Sequence, residues 1–154
     1  MKKLEDKGVK FIDVCLHVGL GTFAPIKQSI FDHEMHSEYY EFSEAASVDL
    51  NHAKVNNNPI IALGTTALRV LQTVFDFETN KFVPQQGETQ IFIKPPFDDF
   101  VVDGILTNFH LPKSTLLLLI NAFIGCEATR KIYEHAMASD YRFYSFGDAS
   151  LLMR

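Results

Sequence analysis

The sequence predicts an α/β domain, a mixed or mainly parallel sheet flanked by helices, and three observations carry that expectation. Short apolar runs bounded by glycine, proline or asparagine alternate with stretches of helical spacing. Hydrophobic residues make up 47% and charged residues 21% of the 154 residues, a balance that supports one packed domain. Fourteen phenylalanines and no tryptophan point to a core of aromatic and aliphatic packing.

Taken in order, residues 1–8 read as a charged N-terminal tail and residues 9–154 as the domain. Phe11–His17 alternates loosely and runs into Val18-Gly19-Leu20-Gly21-Thr22, a strand entering a glycine loop. Tyr39–Phe42 is a second strand, and Ser43 has the chemistry of an N-cap for a helix to about Lys54. Asn56-Asn57-Asn58-Pro59 stops that helix. Ile60–Leu63 reads as a short buried strand. After Gly64, the spacing of Leu68, Leu71 and Phe75 predicts a helix. Phe77–Gly87 has turn composition. Gln90–Ile93 and Phe100–Val102 read as strands around Pro95-Pro96, and Ile105-Leu106-Thr107 extends the sheet. Ser114 caps an apolar helix from Thr115 to Phe123, Gly125 breaks it, and Glu127–Ala138 is an amphipathic helix. Phe143–Phe146 and Ser150–Met153 add strand.

The net charge of −5 and a pI near 5.6 argue against nucleic-acid binding by bulk electrostatics, which needs a basic surface. Cys15 and Cys126 have no CxxC partner and sit in apolar contexts, so buried free thiols in a reducing compartment are expected. The start of the chain lacks the apolar run of a signal peptide, and the Leu116–Ile124 stretch is too short to span a bilayer. A cytoplasmic protein without membrane contact is the expectation.

Three junctions, Gly19–Thr22, Gly64–Thr66 and Lys113–Thr115, have the form of a glycine loop or a turn entering a helix. In an open α/β sheet such junctions gather outside the carboxyl ends of the strands, where ligands bind. Backbone amides and helix N-termini there favour anions; each glycine alone can equally be a tight turn. His33-Glu34-Met35-His36-Ser37-Glu38 brings two imidazoles to a spacing of three, which a helix would place on one face. The pattern is not HExxH and supplies no third ligand, so no metal is expected. Substrate contact or structural hydrogen bonding remain its readings. His17 precedes the first glycine loop and His110 precedes Lys113. Both can serve as donors or as acid–base groups. Asn108–Thr115 packs an amide, an imidazole, an ammonium and two hydroxyls before an apolar helix, a density that capping alone does not require. Tyr141–Asp148 interleaves aromatics with Arg142, Ser145 and Asp148, which suits base stacking or a capped core strand.

Read together, five segments resemble the S-adenosylmethionine:tRNA ribosyltransferase-isomerase family of queuosine biosynthesis, and its C-terminal half in particular. They are Leu16–Phe23, His33–Glu38, Ala62–Thr66 with Arg69, Asn108–Thr115 and Tyr141–Asp148, in the family's order and covering the chain from about Val9. The resemblance implies part of the family's main α/β domain without its inserted β-barrel domain. It implies transfer and isomerisation of the ribosyl part of S-adenosylmethionine onto a 7-aminomethyl-7-deazaguanine at the tRNA wobble position. Epoxyqueuosine would form, with adenine and methionine released. S-adenosylmethionine would be the ribosyl-donor substrate, tRNA the macromolecular partner, and a missing N-terminal half or a second copy a further partner. His17, His110 and Lys113 are then the expected catalytic residues. Gly19, Gly21, Thr22, His33, His36, Glu38, Gly64, Thr65, Thr66 and Arg69 are expected to bind substrate, as are Asn108, Ser114, Thr115, Arg142, Ser145 and Asp148. Family members are roughly twice as long, and Pro95-Pro96-Phe97 stands where they use a glycine-containing turn. Two alternatives are an inactive remnant that binds a nucleoside or a partner subunit, and a conventional methyltransferase suggested by Gly19-Leu20-Gly21.

Overall fold

The structure is a computed structural model that describes residues 1–19, 26, 29–30 and 33–154. Its elements in chain order are α1 (Lys2–Glu5), β1 (Cys15–Leu16), β2 (Glu38–Phe42), α2 (Glu44–Val55), β3 (Ile61–Leu63), α3 (Thr65–Val74), β4 (Phe75–Asp76), β5 (Lys81–Phe82), β6 (Gln85–Thr89), β7 (Gly104–Asn108), α4 (Thr115–Ile124), α5 (Cys126–Ala138) and β8 (Ala149–Met153). The expected α/β class holds. The sheet that anchors it, β3-β7-β8, is mixed: β3 and β7 run parallel and β8 pairs antiparallel with β7. β1-β2-β6 and the short β4-β5 ribbon are antiparallel.

The helices form where caps and spacing dictate. Ser43 accepts from Ala46 N at 3.1 Å to open α2. Asn56 closes it, and Asn57 turns the chain at φ 53. Gly64 opens α3 at φ 92, a conformation glycine reaches without Cβ strain. α3 then buries Leu68, Val70, Leu71 and Val74, which join Ile105, Leu119, Ile120, Phe123 and Leu152 in one core. Gly125, at φ 86, ends α4 and starts α5.

Several expected strands are corrected. β1 is two residues long and does not extend back to Phe11. Phe77–Gly87, expected as turn, contains β5 and most of β6. Asn51 substitutes for a strand neighbour there: its side chain donates to Phe82 O and accepts from Phe82 N, both at 2.8 Å. Gln90–Ile93 and Phe100–Val102 are irregular, although Ile93 and Val102 are buried. Phe143–Phe146 holds a single 3-10 turn, Tyr144–Phe146, in place of a strand. Both cysteines are exposed, not buried. Among the described residues no helix is long and apolar enough to cross a membrane.

Candidate functional site

Strands β3 and β7 are parallel neighbours, so the chain leaves both at the same end of the sheet. The first exit is the Gly64–Thr66 junction, whose Gly64 N donates to Leu106 O at 2.8 Å. The second is Asn108–Thr115. Two of the three predicted junctions therefore lie side by side.

The remaining motifs are tied to this end by individual hydrogen bonds. Glu38 starts β2 on its inward phase and is 2% exposed. One carboxylate oxygen pairs with Nη1 of Arg69 on α3, and the other accepts from Gly19 N at 3.1 Å. Ile26, beyond the glycine run, donates its amide to Lys113 O at 2.9 Å. Asn108 Nδ2 donates to Asp148 O at 3.1 Å, and Tyr144 N donates to Phe109 O at 2.9 Å. These links, Gly19–Glu38–Arg69, Ile26–Lys113 and Asn108–Asp148, form a network only through the chain segments between them. Leu20, Gly21 and Thr22 lie outside the described residues, so the predicted contacts at Gly21 and Thr22 are not placed.

Several predicted ligand groups are engaged in holding this network. The Gly19 amide is taken by Glu38. Ser114 accepts from Leu117 N at 3.1 Å, donates to Leu111 O at 2.7 Å and is 4% exposed. Arg142 and Asp148 grip each other: Asp148 accepts from the Arg142 backbone amide at 2.6 Å and from its guanidinium at 3.3 Å. Those side-chain bonds raise the guanidinium and hold the carboxyl below its ordinary range. Thr65 and Thr115 are buried, while Thr66 is half-buried at the first turn of α3.

Other groups remain available. Arg69 is 3% exposed, yet its Nε and Nη2 have no hydrogen-bond partner among the described residues. These two nitrogens form the same edge of the guanidinium, the fork that grips a carboxylate or phosphate with two parallel bonds. Lys113 is exposed, stands at φ 59, and has no ion-pair partner among the described residues. Five non-glycine residues have positive φ among the described residues, and three are Asn or Asp, which tolerate it. The other two, Lys113 and Tyr144, both belong to predicted site segments. Strain of about 1–3 kcal/mol per residue concentrates where function needs a fixed geometry.

The histidines separate by environment. His17 is exposed, its ring 5.5 Å from Tyr39 and its Nε2 3.7 Å from Cys15 Sγ. His110 is half-buried and paired with Thr107 Oγ1 at 2.9 Å. Burial pushes its imidazole down to about 4. Its backbone amide donates to the Tyr133 hydroxyl at 2.8 Å. His33 packs edge-on to Phe92, and His36 is exposed. Residues 33–37 are irregular, so no helix brings the two imidazoles to one face. No group of three metal-ligating side chains occurs among the described residues. Ser145 is exposed within the 3-10 turn. Thr107, Tyr133 and Cys15 were not legible as neighbours of the predicted histidines. For Thr107 a signal existed, since it stands three residues before His110 on the inward phase of a strand. A groove of about 460 Å³ beside β1 and β6, lined by Asp13, Cys15, Glu41 and Gln85 among others, takes in none of the predicted site residues. Convergent chemistry, not concavity, marks the site.

The sequence profile of a family described as "Queuosine biosynthesis protein" matches residues 1–152. A Carboxydothermus hydrogenoformans protein named S-adenosylmethionine:tRNA ribosyltransferase-isomerase is 49% identical, with 99% of this chain and 45% of that protein covered. A Staphylococcus saprophyticus protein of the same name is 47% identical, with the same shares covered. The crystal structure of S-adenosylmethionine tRNA ribosyltransferase from Thermotoga maritima superposes with a TM-score of 0.76 at 38% identity, covering 99% of this chain and 48% of that one. The chain spans about half the length of the curated relatives it matches.

Proposed function

This chain belongs to the queuosine biosynthesis protein family, and from that premise we propose that it carries the S-adenosylmethionine-binding α/β portion of a tRNA ribosyltransferase-isomerase. The reaction would move and isomerise the ribosyl group of S-adenosylmethionine onto a 7-aminomethyl-7-deazaguanine at the tRNA wobble position. Epoxyqueuosine would result, with adenine and methionine leaving. The observations that support this reading best are the hydrogen bonds tying Gly19 and Arg69 to Glu38 and Asn108 to Asp148, with the Gly64 and Asn108 junctions leaving neighbouring parallel strands at one end of the β3-β7-β8 sheet.

Within that proposal the residues divide by availability. The free edge of Arg69 takes the amino-acid carboxylate of S-adenosylmethionine. A buried guanidinium with one edge unpaired carries a deficit that an oxyanion removes. Lys113 and the N-terminus of α4 supply positive potential to an anionic or ribosyl group. His17, exposed at the root of the glycine loop, removes the proton next to the sulfonium. His110 is neutral at pH 7 and so cannot donate a proton as an imidazolium; it holds its loop against Thr107. Glu38, Ser114, Arg142 and Asp148 position backbone and do not touch substrate. The chain is then a cytoplasmic tRNA-modification protein that uses S-adenosylmethionine as a substrate and needs no metal.

Equilibrium dialysis with labelled S-adenosylmethionine tests the reading on this chain. Saturable binding is expected, weakened about 10- to 100-fold in Arg69→Lys, which keeps the charge and loses the fork. Binding equal in the two proteins, or none in either, would count against it. A second reading is a chain that holds the nucleoside and does not turn over. Bound S-adenosylmethionine without adenine release separates that case.

A further inference from the structure

The β1-β2-β6 sheet is antiparallel, so its side chains sort into two faces, row by row. Glu38, Tyr40 and Phe42 of β2 point to the core and are buried. The alternate residues face outward. Cys15, Glu41 and Gln86 form one outward row, and His17, Tyr39 and Glu88 form the next. The His17 amide donates to Tyr39 O at 2.8 Å, which carries the register one residue beyond β1. An imidazole, a phenol ring and a carboxylate thus stand side by side across three strands, about 10 Å from end to end. All three are exposed.

Each member of that row is held in place. The Tyr39 ring lies 5.5 Å from that of His17, and its hydroxyl donates to Gln86 Oε1 at 3.4 Å. Ser37 Oγ donates to Glu88 Oε2 at 2.7 Å. Neither Glu88 nor Glu41 has an ion-pair partner among the described residues, and the two rows carry no Lys or Arg. The face is therefore anionic around an exposed ring. A π face beside an unpaired carboxylate attracts a flat ring that carries a cation. The proposed reaction brings two rings to the neighbourhood of His17. Adenine is neutral and leaves. The deazaguanine carries a primary alkylamine, cationic near neutral pH like a lysine side chain. Charge selects the second. We propose that Tyr39 and Glu88 determine specificity for the acceptor base: the deazaguanine stacks on Tyr39, and Glu88 takes its aminomethyl group. The inference rests on the proposed function and deepens it by seating the acceptor beside His17. A wobble base unstacked from its loop can reach this row while the RNA phosphates stay away from the carboxylates.

Equilibrium dialysis of the chain against 7-aminomethyl-7-deazaguanine tests this, with 7-deazaguanine as the same ring lacking the amine. The aminomethyl compound is expected to bind about tenfold tighter. Glu88→Gln should remove that margin and leave the affinity for 7-deazaguanine unchanged. Tyr39→Ala should weaken both compounds about tenfold, and Tyr39→Phe should restore them, because stacking needs only the ring. Affinity for S-adenosylmethionine should be the same in all three variants. Circular dichroism checks that each is folded. Should Tyr39→Ala fail to fold, nitration of the unmodified chain by tetranitromethane, mapped by mass spectrometry, still decides. The aminomethyl compound should shield Tyr39 and leave the exposed Tyr141 reactive. No binding of the aminomethyl compound, a preference for it that survives Glu88→Gln, an unshielded Tyr39, or a Tyr39→Ala loss confined to S-adenosylmethionine would each overturn the proposal. A chain that keeps the aminomethyl preference and does not bind S-adenosylmethionine would leave it standing and count against the proposed function.

Discussion

Arg69 and His110 show how burial decides what a residue can do. Arg69 is buried against Glu38, whose side chain is fully buried. Replacing Arg69 by Met strands a carboxylate, and a loss of about 3–5 kcal/mol is expected from urea unfolding. Adding Glu38→Gln should recover much of it; a single-variant loss under about 1 kcal/mol would show that the pair is not closed in solution. Desolvation holds the folded His110 near 4, below its ordinary value near 6.5. The unfolded chain therefore takes up a proton first as pH falls. Stability from this group is full above about 6.5 and declines as pH drops toward 4, by about 2–3 kcal/mol. In His110→Gln, unfolding free energies measured between pH 7 and pH 4.5 should fall less steeply. An unchanged slope would place the imidazole in water.

At the level of elements, the legible parts were those with local causes. Ser43, Gly64, Ser114 and Gly125 fixed helix ends because capping is set by the nearest few residues. The spacing of Leu68 and Leu71 identified α3 for the same reason. β6 was hidden: its sequence Gln85-Gln86-Gly87-Glu88-Thr89 is polar, and it is a strand because β2 pairs with it across the sheet. Gln90–Ile93 misled in the opposite sense, since its apolar residues anchor irregular chain to the core. In the candidate site the segments were legible, but the division of labour within them was not. Ser114 looks like a ligand hydroxyl in sequence and has both hydrogen-bonding roles occupied in the fold. Its removal is accordingly an element-scale effect. Ser114→Ala should cost about 1–2 kcal/mol by thermal or urea unfolding, through the lost α4 cap and the lost bond to Leu111 O. Its effect on S-adenosylmethionine affinity in protein that remains folded should be under about threefold. A large affinity loss in a stable variant would return Ser114 to the ligand.

At the scale of the whole molecule, a net charge of −5 supplies no bulk electrostatic attraction for the tRNA of the proposed reaction. Gly19, Glu38 and Arg69 are bonded to one another, as are Asn108 and Asp148. On the proposed function, this chain contributes working site chemistry and not only a scaffold. The decisive measurement is adenine release, followed by chromatography in a mixture of the chain, the part of the Carboxydothermus hydrogenoformans relative outside the matched region, S-adenosylmethionine and tRNA bearing the deazaguanine precursor. The prediction is adenine and methionine in equal amounts, dependent on the precursor tRNA and lost in His17→Ala. Formation of S-adenosylhomocysteine, or no adenine from an assembly that binds S-adenosylmethionine, would contradict it.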